Sequence, residues 1–69
     1  MKEIEKLRVL IPHWIEHNTE HEEEFRRWAD KAGDFSGSLI AAADSIKIAN
    51  KHLQSALDQM GGPLPTPDM

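Results

Sequence analysis

His13, His17 and His21 recur every fourth residue within the stretch His-Trp-Ile-Glu-His-Asn-Thr-Glu-His. On an α-helix this spacing stacks side chains along one side. The three imidazoles would form a ladder of nitrogen donors, the ligand type that zinc, nickel, cobalt and copper accept. Glu20 and Glu24 border His21 and could add a carboxylate oxygen. A fourth histidine, His52, lies far along the chain and can join only if the chain folds back. Cysteine is absent, so thiolate ligands and disulfides are both excluded and the donor set is imidazole with carboxylate. Each residue also has a plainer reading. His21 falls in an apolar stripe as a core histidine would, His13 faces solvent, and Glu22, Glu23 and Glu24 make an ordinary solvated helix face. Trp14 and Trp28 have the size of core or interface anchors.

Other chemistries fit less well. His13 to His17 and His17 to His21 each match His-x-x-Glu-His, the inverted zinc-protease pattern, with Glu16 or Glu20 as base. Two helices, however, offer no walled substrate cleft and no obvious further ligand. Glutamate three residues before histidine, the di-iron bundle signature, is missing, because Leu10, Trp14, Asn18 and Ala49 hold those positions. Neither a nucleophile motif nor a phosphate loop occurs, and the expectation is that the protein is not an enzyme. A formal net charge of -4 without a basic cluster argues against nucleic acid as a partner. The apolar run from Val9 to Ile11 is too short for a signal peptide or a membrane span, so the expectation is a cytoplasmic protein without membrane contact.

The ladder must be held by helices. Apolar residues at Ile4, Leu7, Ile11, Trp14, Phe25, Trp28 and Ala32 keep helical phase across residues 2–32. Pro12 lies inside that stretch and predicts a kink there. Gly33 suits the end of the helix, and residues 33–36 form the turn, with Ser36 as N-cap and Phe35 stapled to Ile40. A second helix over residues 37–60 repeats by sevens in Leu39, Ile46, Leu53 and Met60, and again in Ala42, Ala49 and Ala56. A bend centred near Phe35 sets Trp14, His21 and Trp28 against Ala56, Ala49 and Ala42. It also sets Ile11, Asn18, Phe25 and Ala32 against Met60, Leu53, Ile46 and Leu39. The fold class is therefore all-α, an antiparallel two-helix hairpin as one domain over residues 1–60. The glycine- and proline-rich residues 61–69 follow as a disordered or extended tail.

In this alignment His17 and His52 flank the hairpin at one height, with His21 a turn away. Metal would then clamp the fold, and binding energy would add to folding energy. So small a chain buries little apolar surface. Ile15, Ile40, Ala43, Ile48 and Leu57 fall where one hairpin would not cover them, which predicts a homodimeric four-helix bundle. Three functions are compatible with the residues. One is a nickel-, zinc- or cobalt-binding module for storage, sensing or delivery to a client protein, with His17, His21 and His52 as ligands and His13, Glu20 or Glu24 completing the shell. The second is a dimerisation hairpin without ligand. The third is a bundle that histidine protonation loosens between roughly pH 7 and 5.

The segment Leu-Arg-Val-Leu-Ile-Pro-His-Trp-Ile-Glu-His-Asn from Leu7 to Asn18, followed by Glu-Glu-Phe-Arg-Arg-Trp-Ala from Glu23 to Ala29, resembles a helical domain of small bacterial and archaeal proteins. In some of them this domain is appended to small nickel-binding proteins linked to carbon monoxide dehydrogenase maturation. The resemblance covers most of the first helix and little of the second. It implies nickel or another transition metal held by His13, His17 and His21. The β-rich nickel-binding portion of those proteins has no counterpart in this chain, so their activity does not carry over.

Overall fold

The computed structural model describes residues 2–65. Two helices, α1 (Glu3–Ala29) and α2 (Ser36–Gln59), are joined by a single 3-10 turn (Gly33–Phe35) and pack against each other as an antiparallel hairpin. At the turn α1 stops at Ala29 rather than residue 32, whereas α2 begins at Ser36, one residue before the expected start. Past Asp30 the N–H groups of Lys31 and Ala32 bond the carbonyls of Trp28 and Ala29 at 3.0 and 3.1 Å, tightening the last turn. Gly33 then takes a φ of 58°, the left-handed region open to glycine.

Ser36 is not the N-cap. Phe35 holds that position without any side-chain cap, because the 3-10 turn already supplies acceptors. Phe35 N–H bonds the Ala32 carbonyl at 3.1 Å, and Ser36 N–H bonds that of Gly33. Phe35 is left 78 % exposed rather than stapled over Ile40.

α1 runs unbroken through Pro12. A proline there has no N–H to give the carbonyl four residues back, which is that of Arg8. The Leu64 N–H donates to this carbonyl instead, at 3.4 Å. The Arg8 guanidinium completes the tie by donating to the carbonyls of Gly62 at 2.7 Å and Gly61 at 3.3 Å. α2 itself ends in a Schellman arrangement, Gly62 N–H to Leu57 carbonyl at 2.9 Å and Gly61 N–H to Asp58 carbonyl at 3.1 Å, with Gly61 at a φ of 102°. The beginning of the expected free tail is therefore fastened to α1; residues 66–69 lie outside the described residues. Replacing Pro12 with alanine returns a donor to the Arg8 carbonyl. The expected result is a gain of about 1–3 kcal/mol in chemical unfolding and faster hydrogen exchange at the Leu64 amide, which loses its acceptor.

The register matches the expected alignment while the helix faces do not. Cross-helix bonds join Asn18 to Asn50, Arg26 to Asp44 and Arg8 to Gly61, all centred near Phe35. The buried side chains are Ile11, Ala29, Ala43 and Leu57, with Ile15, Glu22, Asn50 and Leu53 half-buried beside them. Thus the Ile11 and Leu53 columns do face the partner helix, whereas the second column is Ile15, Glu22 and Ala29 on α1 and Ala43, Asn50 and Leu57 on α2. Trp14, His21 and Trp28, expected against Ala56, Ala49 and Ala42, are all exposed rather than core. Ala43 and Leu57, expected on an uncovered face, are core.

Each contact line is turned by about 50° from the expected one, at about 100° per residue. Two physical causes are visible. Ala43, at 0 % exposure, and Ala29 let the backbones approach closely near the turn, where an indole would hold them apart. A polar cluster then fixes the Ile15 side of α1 towards α2. The Asn18 amide donates to Asn50 Oδ1 at 3.0 Å, and the Asn50 amide donates to Thr19 Oγ1 at 3.2 Å and to the Ile15 carbonyl at 3.4 Å.

The molecule measures 48 × 26 × 14 Å. Its thinnest dimension is about one helix diameter, so neither helix is covered on its two broad faces.

Candidate functional site

All four histidines lie on exposed positions. His17 Nδ1 is 3.9 Å from Glu20 Oε2, and His21 Nδ1 is 3.8 Å from Glu24 Oε1. The His21 ring also tilts over Phe25, with centroids 6.3 Å apart. Each of these histidines is thus paired with its own glutamate, while His13 and His52 stand exposed on α1 and α2. Among the described residues no three histidine, aspartate or glutamate side chains are grouped so as to hold a metal ion, and no cavity is present. Within one chain His17, His21 and His52 do not form the chelate expected of them. The rotation of the contact lines accounts for this, because it swings the histidine columns of both helices away from each other.

The same rotation leaves a face open. In an antiparallel pair, residues displaced in the same rotational sense from the contact line lie on the same broad side of the hairpin. On one side α1 presents Leu10, Trp14, His21 and Trp28, and α2 presents Ala42, Ser45, Ala49 and Ala56. Trp14 is 43 % exposed and Trp28 60 %; the Lys31 ammonium sits 5.3 Å above the Trp28 ring. The other side is polar. There the Arg26 guanidinium donates to Glu22 Oε2 and to Asp44 Oδ1, both at 2.9 Å, and the Gln54 amide donates to Asp58. The hydrogen bond to Asp44, and then that to Glu22, raises the Arg26 pKa above its usual value. One broad face thus carries both indoles among small residues and the other these polar pairs, with further exposed apolar side chains away from the first face at Ile40 and Ile48.

Two features of the hairpin escape a reading by apolar periodicity. Ala43, Asn50 and Leu57 also repeat by sevens, and Asn50 falls level with Asn18; a polar pair at one height of a seam is a known register device. The Arg8 contacts with the end of α2 carry no periodic signal. Asn50→Ala leaves the Asn18 amide without its acceptor and is expected to cost about 1–3 kcal/mol in urea unfolding. The double change Asn18→Leu with Asn50→Leu removes both partners, so its loss should be smaller than that of the single variant.

The fold defines an all-α helical-hairpin protein with an uncovered face that carries Trp14 and Trp28. The chain belongs to the family described as Domain of unknown function (DUF8180), whose model matches residues 7–60, a stretch that takes in both helices and the turn. A relative from Archaeoglobus fulgidus, described as an uncharacterized protein, is 34 % identical over 62 residues, covering 84 % of this chain and 100 % of the relative. No solved structure matches the chain. Among the described residues no helix is long and apolar enough to cross a membrane.

Proposed function

We propose that the protein is a homodimerising module, in which two hairpins join through their tryptophan and alanine faces into a four-helix bundle. The observation that carries this reading is the second seam. Trp14, His21 and Trp28 repeat by sevens, as do Ala42, Ala49 and Ala56, yet Trp14, His21, Trp28 and Ala49 stay exposed and Ala42 and Ala56 are only half-buried in the hairpin. A two-fold axis along the bundle preserves height, so α1 of one copy lies on α2 of the other with the levels the hairpin already aligns. Trp14, His21 and Trp28 then meet Ala56, Ala49 and Ala42 of the second copy, large against small each time. The face is complementary to itself, which is what a two-fold interface requires. An axis perpendicular to the bundle would instead set α1 on α1, with bulky residues opposed.

Surface area allows the same occupant. The chain exposes 5297 Å², against about 4,400 Å² for a globular monomer of this mass. The excess is what an elongated helix pair exposes, and it leaves surface enough for the roughly 800 Å² that each partner buries in a standard interface. Linkage gives a test. A hundredfold increase in protein concentration is expected to raise the thermal midpoint by about 5–10 °C, and a midpoint independent of concentration would reject the reading.

A further inference from the structure

We infer that the dimer holds a divalent transition metal in two equivalent sites between copies, each made by His17 and His21 of one chain with His52 of the other. This inference rests on the dimer proposed above and goes beyond it by naming a ligand and its donors. The rotation that parts His17 from His52 within a chain turns both to the outer edge of the open face. With α1 lying on α2 of the second copy, those edges coincide. His17 is then level with position 53 of the other chain, one residue from His52, and His21 is one turn, about 6 Å, further on.

Two further observations fit a metal. His17 Nδ1 and His21 Nδ1 each stand beside a carboxylate, Glu20 at 3.9 Å and Glu24 at 3.8 Å. These separations exceed a hydrogen bond, so each carboxylate would have to close on its ring to give the carboxylate-backed geometry in which histidines ligate metals through the other nitrogen. On α2 the neighbours of His52 one turn away on either side are Ile48, Ala49, Ser55 and Ala56, none of them cationic, while the adjacent Lys51 is turned about 100° around the helix. Three imidazoles, two of them with a glutamate nearby, suit zinc or nickel.

Complementation tests the arrangement. Tag-free, metal-free protein is titrated with zinc and with nickel by calorimetry, alongside His17→Ala and His52→Ala chains, with the oligomeric state of each measured in chelator. Either variant alone is expected to bind at least about tenfold more weakly. Equal amounts of the two variants, unfolded together and refolded, should recover about a quarter of the native sites, because only mixed dimers pair an intact His17 with an intact His52. Dimeric variants that recover no binding on mixing would overturn the intersubunit site and leave the dimer standing. A native chain that is monomeric in chelator would remove the dimer, and the site with it. Native affinity unchanged in both variants would show an adventitious surface histidine only and would also overturn the inference.

Discussion

Replacing Trp14 and Trp28 together with alanine is expected to yield a helical, cooperatively folding chain that no longer pairs. Each dimer loses two indoles from each of two equivalent seams. Large aromatic anchors at the centre of an interface commonly cost 2 kcal/mol or more apiece, so for four indoles a combined loss of at least about 8 kcal/mol corresponds to a nearly millionfold weaker association. The four buried residues of the hairpin are unchanged, and neither indole is among them, although Trp14 at 43 % exposure loses some packing within the chain. Light scattering at about 50 μM should report two chains for the native protein and one for the variant, with helical circular dichroism retained at low temperature. If Trp14 and Trp28 were isolated surface residues, the substitution would change stability by only about 0.5 kcal/mol and mass not at all.

The second large effect falls on the hairpin seam. Ile11 is 2 % exposed and Leu57 3 %, and the other two buried side chains are alanines. Truncating a buried aliphatic side chain to alanine costs about 2–5 kcal/mol. A chain of this size has only about 3–5 kcal/mol from such a core, so Ile11→Ala or Leu57→Ala is expected to lower the midpoint by tens of degrees or to abolish the cooperative transition. Thermal melts followed by circular dichroism provide the check. Leu57 discriminates between helix faces: on the contact line read from the Ala42, Ala49 and Ala56 repeat it would lie outside the core, and its truncation would cost a few tenths of a kcal/mol.

How far the hairpin could be read from residues follows from what periodicity reports. Helix phase, the turn near Phe35 and the antiparallel register all come from spacings along the chain, and spacing survives folding. Which of two adjacent columns turns inward does not. Both Trp14–His21–Trp28 and Ile15–Glu22–Ala29 repeat by sevens, and hydrophobicity favours the former. The latter is used because Ala29 and Ala43 permit close packing and because Asn18, Thr19 and Asn50 satisfy one another only with that side inward. A pattern with two apolar seams per helix is itself informative, since a lone hairpin can occupy only one of them. The histidine ladder was likewise visible, as were the glutamates beside it. Its geometry was not, because a rotation of about 50° decides whether His17 and His52 face each other or a second chain. The Arg8 carbonyl freed by Pro12 and taken by Leu64 belongs to a different category. It depends on a backbone group that no side-chain pattern encodes.

The most direct test of the central claim is the mass of the native chain in solution. Sedimentation equilibrium of tag-free protein in chelator, across about 1 to 100 μM, is expected to give twice the chain mass of 7.8 kDa at the upper end, with dissociation on dilution. A mass of 7.8 kDa at every concentration would contradict the assignment of the tryptophan and alanine face to a second copy.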